Sequence, residues 1–342
     1  MGKKYKICLR LVTIILLLII LANWGNGPRT KLTHSMNDKV VVITGGSRGV
    51  GFETTKDLLK QGTKVITGIR NIEQAKKAKD SLEPNLKSNF FYAYLDLTDY
   101  ESIKSFSEEI KTKYGKIDIL INNAGSCFLN FTLKDGIELT YFTNHIGHFI
   151  LSCLLLDNFN LEGRIINLVT TKYKRITEKV LDKFTSSSNL DFSFNEKDYN
   201  WMKTYVLSKI AGVHLSQYLS DYCTRNNISV KVASVHPGFI NNHFFRNIEK
   251  HSIYWYLRAL FQAPFRWVLF KDNIMGAQTT LHCCYIDFEK LVNGGFYRDC
   301  KNDKIKSIGL LKNAIKLIQF DKELLEKYNI VKGDKNVMKI FE

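Results

Sequence analysis

The chain has 342 residues, 45% of them hydrophobic, enough for one large domain with a sizeable core and too apolar for a disordered polymer. Its 49 basic side chains outnumber 33 acidic ones, a net charge of +16, but the lysines are dispersed and no block alternates bases with aromatics. That argues against nucleic acid and leaves an anionic membrane surface or a phosphorylated cofactor as the partner. Seven cysteines, an odd number without metal-ligand spacing, read as thiols of a reducing compartment, and no metal site is expected.

In chain order, Ile7 to Ala22 is apolar apart from Arg10 and Thr13, follows Lys3, Lys4 and Lys6, and is broken by Asn23, Gly25, Asn26, Gly27 and Pro28. A cleaved signal peptide shares this basic start and apolar middle, but no small-x-small site follows Leu21. An uncleaved membrane anchor is the favoured reading, slightly short of the ~20 residues of a full span, with Arg10 snorkelling to the headgroups. Basic residues on both sides (Arg29, Lys31 and Lys39 beyond it) leave the orientation open. The sequons at Asn130 and Asn227 matter only for a luminal domain. Asn23 to Asn37 reads as a linker.

From there strand and helix alternate. Lys39 to Thr44 is a short β-branched run ending at Gly45 and Gly46, a buried strand followed by a turn. Helix is predicted for Val50 to Gln61, strand for Lys64 to Ile69, helix for Glu73 to Leu82 and strand for Asn89 to Leu95. Helix follows over Tyr100 to Tyr114 and strand over Ile117 to Ile121, with later strands at Arg164 to Val169 and Ser229 to Val235. The expected fold is α/β, a Rossmann-type doubly wound parallel sheet with helices on both faces, preceded by a hydrophobic anchor. Residues 1–37 form the anchor and linker, 38–300 the catalytic domain, and 301–342 a basic tail, helical through Leu310 to Leu325, whose charge reads as a solvated face.

Thr44-Gly45-Gly46-Ser47-Arg48-Gly49-Val50-Gly51 joins the first strand to the first helix. Glycines there allow a tight turn and close approach to a pyrophosphate, and the helix start offers free N–H groups to an anion. A glycine string alone can be an ordinary turn; its position between strand and helix favours a dinucleotide. The second strand ends Thr67-Gly68-Ile69-Arg70-Asn71, without the acid that would bind a ribose hydroxyl. Arg70 and Arg48 suit a 2′-phosphate instead, so NADP(H) is expected over NAD; solvated surface arginines are the bland alternative.

With these residues in hand, the chain resembles the short-chain dehydrogenase/reductase family over about residues 38 to 300. Gly45, Gly49 and Gly51 match its glycine motif, and Asp96-Leu97 follows the third strand, where the family has an acid near the adenine. Asn122-Asn123-Ala124-Gly125 follows the fourth strand, Tyr205-Val206-Leu207-Ser208-Lys209 fits Tyr-x-x-x-Lys, and His236-Pro237-Gly238 fits the later Pro-Gly turn. Asn144-His145-Ile146-Gly147-His148-Phe149, Gly276-Ala277-Gln278-Thr279, and Gly294-Gly295-Phe296-Tyr297 with Asp299-Cys300-Lys301 are similar to the retinol dehydrogenase branch. That resemblance implies membrane attachment, with the endoplasmic reticulum as the expected site, and a preference for NADP.

Tyr205 and Lys209, four apart on a predicted helix, share one face. An ammonium beside a phenol favours phenolate, so the tyrosine can exchange a proton with an alcohol or carbonyl oxygen. By resemblance, Lys209 also holds the nicotinamide ribose and Asn144 orders a water in the proton relay. Where the family most often has Ser, the register gives Thr170, which keeps the hydroxyl and adds a methyl. Ile253 to Phe270 is aromatic-rich and lines an apolar pocket, rests at a membrane interface, or forms core or a dimer face. The expected activity is interconversion of a lipophilic alcohol and its carbonyl, such as a retinoid, steroid or lipid aldehyde. The alternatives are a cofactor-binding scaffold without turnover and a reductase of small soluble carbonyls.

Overall fold

The computed structural model describes Arg10, Val12, Thr13 and residues 27–170, 199–240, 270–303 and 311–341. The predicted anchor, the aromatic-rich stretch at 253–270 and the loop after Thr170 lie almost wholly outside these residues.

The described chain alternates as expected: β1 (Val40–Thr44), α1 (Gly49–Lys60), β2 (Lys64–Ile69), α2 (Ile72–Asp80), β3 (Phe90–Tyr94), α3 (Tyr100–Lys113) and β4 (Ile117–Asn122). A small hairpin, β5 (Leu133–Lys134) and β6 (Ile137–Glu138), leads into α4 (Leu139–Tyr141), a π turn over Phe142–Ile146, and α5 (Gly147–Leu155). Then come β7 (Phe159–Leu168), α6 (Trp201–Arg225), β8 (Val230–His236), α7 (Asn273–Tyr285), β9 (Gly295–Arg298), β10 (Lys301–Asp303), α8 (Leu311–Lys327) and α9 (Lys335–Met338).

The main sheet has the order β10-β9-β8-β7-β4-β1-β2-β3. Every pairing is parallel except that of β10 with β9. Strands buried on both faces read as continuous apolar runs, and β1 and β4 do so with every central residue buried. The strand order reverses at β1 and β4, so the crevice outside their carboxyl ends is the ligand site that this topology builds.

Two large apolar clusters lie on opposite faces of the sheet. α1 and α7 cover one; α3, α5, α6 and the carboxyl-terminal helices cover the other. Arg164, buried in β7, crosses to the first face and donates through Nη1 to the carbonyls of Cys283, Cys284 and Ile286 at 2.7–2.9 Å. A guanidinium thus closes the end of α7, where helix carbonyls lack amide partners. Among the described residues, the 20-residue helix Leu139–Asn158 is long and apolar enough to span a membrane, but it is 89% buried inside the fold and serves as the core helix.

At the carboxyl end β9 and β10 pair across residue 300, and the segment beyond packs into the core. Ala314, Leu317, Ile318, Phe320, Leu324 and Leu325 of α8 are buried in the same cluster as α5 and α6, and Val337 and Ile340 extend it. The lysines of α8 occupy its outer face, so charge along the sequence conceals an apolar stripe at helical spacing.

Candidate active site

The loop after β1 is shaped for a pyrophosphate. Gly45 and Gly49 have φ of +68° and +57°, in the left-handed region that favours glycine. A Cβ at Gly51 would lie 2.4 Å from the Gly45 carbonyl and 2.5 Å from Asn123 Nδ2, so the first turn of α1 packs without side-chain clearance. Arg48, at the helix start, makes no capping side-chain bond, and no acid occupies the first turn. The buried Ser47 hydroxyl has no partner among the described residues. Open helix N–H groups and an orphaned hydroxyl beside a glycine cradle are what a dinucleotide phosphate would satisfy. Val50 is buried beneath the loop. Arg48 and Arg70 are both exposed, the latter just past the end of β2.

The second signature braces this loop. Asn123 Nδ2 donates to the carbonyls of Thr44 (2.8 Å) and Gly45 (3.2 Å). The Thr44 hydroxyl oxygen accepts the backbone N–H groups of Asn123 and Ala124 at 3.0 and 2.9 Å. Asp96 Oδ1 accepts from the N–H and hydroxyl of Thr98, which fixes the carboxylate beside buried Leu97. Leu97 in turn lies against Gly147, where a Cβ would approach its carbonyl to 2.1 Å.

α6 begins under an Asn200 cap and carries Tyr205 and Lys209, the latter reaching the end of β7. Lys209 Nζ donates to the Leu168 carbonyl at 3.0 Å. A Cβ at Gly125 would lie 3.2 Å from Lys209 Nζ and 3.5 Å from Asn144 Oδ1, so all three residues meet at one point. Asn144 is held by its own amide: Oδ1 accepts from Ser126 N (2.7 Å), and Nδ2 donates to the Ser126 carbonyl (2.9 Å) and to Ser208 Oγ (3.0 Å). Thr170 is buried two residues beyond the end of β7, and Pro237 and Gly238 follow β8 at the same edge of the sheet. Burial lowers the Lys209 ammonium to about 8. Burial also pushes the Tyr205 phenol upward, with Cys127 adding to it. The depression expected from Lys209 is therefore outweighed, and the tyrosine is a protonated phenol at neutral pH.

One residue of the candidate site does not stand out in the sequence. His148, buried on α5, joins the glycine loop to Asn144. A carbonyl can only accept, so His148 Nδ1 donates to the Asn144 carbonyl at 3.1 Å. Burial drops this imidazole to about 3, so the ring is neutral and Nε2 accepts the Thr44 hydroxyl at 2.8 Å. The signal was present in the Asn-His-Ile-Gly-His-Phe motif, but sequence spacing does not show that the second histidine faces Thr44.

A doubly wound sheet with a glycine cradle and a Tyr–Lys–Asn cluster at its switch point defines a nucleotide-dependent oxidoreductase. The family model described as short chain dehydrogenase matches residues 39–176. Short-chain dehydrogenase TIC 32 B, chloroplastic, from Brassica napus is 33% identical over 287 residues, covering 79% of this chain and 83% of the relative. Retinol dehydrogenase 14 from Mus musculus is 30% identical over 301 residues, 82% of this chain and 85% of the relative. Among solved structures, an uncharacterised protein from Mycobacterium paratuberculosis superposes with a TM-score of 0.66 at 22% identity, covering 88% of this chain and 98% of that one. Salutaridine reductase from Papaver somniferum gives 0.54 at 20% identity, covering 76% and 99%. The chain belongs to the short-chain dehydrogenase/reductase family, close to its retinol dehydrogenases. It is an NAD(P)-dependent oxidoreductase acting on CH–OH groups.

Proposed function

We propose that the protein interconverts a lipophilic alcohol and its carbonyl with NADP(H), with Tyr205 as the acid/base group. The meeting of Lys209 Nζ, Asn144 Oδ1 and Gly125, one helical turn from Tyr205, carries this reading. The bound nicotinamide supplies or accepts the hydride. The protein handles the proton: in reduction, Tyr205 Oη gives its hydrogen to the carbonyl oxygen, and the phenolate left behind is compensated by the Lys209 ammonium. Thr170 Oγ1 donates to the same substrate oxygen. Asn144, fixed by Ser126 and Ser208, orders the water through which Lys209 exchanges protons with solvent.

Arg70 and Arg48 support NADP: both are exposed, and Arg70 stands just past β2, where an acid would be needed for NAD. A Cβ at Gly27 would lie 3.0 Å from Lys271 Nζ, and one at Gly238 2.8 Å from Lys271 Cδ. Gly27, Lys271 and the Pro237–Gly238 turn therefore lie together in the described fold. Phe239, next along, is 51% exposed there.

Membranes carrying the full chain, assayed with NADPH against retinal, ketosteroids and long- and short-chain aldehydes, test the reading, with Tyr205→Phe as control. Turnover on the lipophilic members that is lost in Tyr205→Phe is expected. Turnover confined to short polar aldehydes sinks the lipid assignment, and no Tyr205-dependent turnover on any substrate favours a scaffold. A lower Kd for NADH than for NADPH overturns the cofactor assignment.

A further inference from the structure

The carboxyl-terminal helix reaches the back of the turn that carries Asn144. Asp321 of α8 is fully buried; its Oδ1 accepts from Tyr141 Oη at 2.8 Å and its Oδ2 from His145 Nε2 at 2.6 Å. Tyr141 is the last residue before the π turn and His145 lies within it. One carboxylate therefore grips the turn at both ends, and the Tyr141 and His145 rings stand 5.0 Å apart across it. Burial and then the Asp321 charge hold the Tyr141 phenol well above its ordinary range, so it stays a donor.

A π turn adds a residue to the helical register and recurs at functional sites. Here it lets two successive side chains serve different regions. Asn144 points to Ser126 and Ser208 in the active site, whereas His145 points to α8. Rotation of the turn would move both together.

We propose that Asp321 is a positioning residue for the reaction: by holding Tyr141 and His145 it sets the register of the π turn and so the aim of Asn144 toward Lys209. This rests on the role assigned to Asn144 above. The mechanism needs nothing at residue 321 to touch substrate or cofactor, and among the described residues the hydrogen bonds of Asp321 go to Tyr141 and His145 rather than to the nucleotide cradle. Its loss is therefore expected in kcat rather than in cofactor affinity.

The test uses the full chain in detergent, with kcat normalised to NADPH-binding sites. Asp321→Leu removes both acceptors at similar volume. It is expected to lower kcat about tenfold while the Kd for NADPH stays within about twofold. In an Asn144→Ala background the same substitution is expected to cause no further loss, because the two act on one step. If Asp321→Leu fails to fold, Tyr141→Phe, which removes a single donor, carries the same test with a loss of about threefold. Unchanged kcat, or an equal loss in both backgrounds, overturns the proposal. Should the wild type show no Tyr205-dependent turnover, the functional reading fails and amide exchange decides this one. Exchange at residues 142–148 faster in the variant, with residues 44–51 unchanged, supports the clamp; unchanged exchange at 142–148 refutes it.

Discussion

Thr170 and Lys209 carry the sharpest expectations at the scale of single residues. Thr170→Val keeps the volume and removes the hydroxyl. Its kcat should fall at least about tenfold with little change in NADPH affinity, whereas Thr170→Ser should stay near wild type. Intact turnover in the valine variant would show that the hydroxyl is not used. Lys209 predicts a pH dependence. Burial brings its proton loss from 10.5 down to about 8. Below that the ammonium compensates the phenolate; above it a neutral amine does not. The kcat for reduction should fall as pH rises through about 8, measured at saturating NADPH. Stability moves the other way: between about 8 and 10.5 the unfolded chain binds more protons at this site, so folding gains as pH rises. Tyr205, Lys209 and Asn144 stand out as candidates in the sequence because each sits in a short motif. His148 and Asp321 were not, because their partners are far away: Thr44 is 104 positions from His148, and Tyr141 is 180 from Asp321.

Among elements, the strands and helices from β1 to β4 and the strand β8 could be read to within a residue or two, because apolar runs and turn residues mark them. β7 begins at Phe159 rather than Arg164: Phe159 pairs with Ile117, the register then shifts, and pairing with β4 resumes at Arg164, so the apolar run marks only the second part. The β5–β6 hairpin and the β9–β10 pair escaped notice because strands of two to four residues carry no period. The helix α8 was legible in extent but not in attachment. Phe320 is 4% exposed and packs into the cluster shared with α5 and α6. Phe320→Ala should cost about 3–5 kcal/mol in denaturant unfolding. A loss under about 1 kcal/mol, of the kind surface substitutions give, would show that α8 is only loosely docked.

At the scale of the whole molecule, acid is the weak point. Burial lowers His34, His148, His214, His236 and His282 from their ordinary 6.5, the second to about 3 and the next two to about 4. His148, His214 and His236 therefore stay neutral in the fold down to about 4 and take up a proton on unfolding. The unfolded state therefore binds more protons below about 6.5, and stability should decline as pH falls from there toward 4. Thermal melts across pH 5 to 8 measure this; a melting temperature no lower at pH 5 than at pH 7 would contradict it.

The docking of α8 and α9 also fixes the order in which the molecule can be made. Tyr100 Oη donates to Asp334 across 234 positions, and Tyr218 Oη donates to the Ile340 carbonyl across 122. The core that α5 and α6 share is thus closed by segments that leave the ribosome after every strand of the sheet has emerged. During synthesis the apolar faces of α5 and α6 stay uncovered, and long-range closure of this kind is slow. The nascent chain therefore keeps this apolar surface open until the last helices arrive.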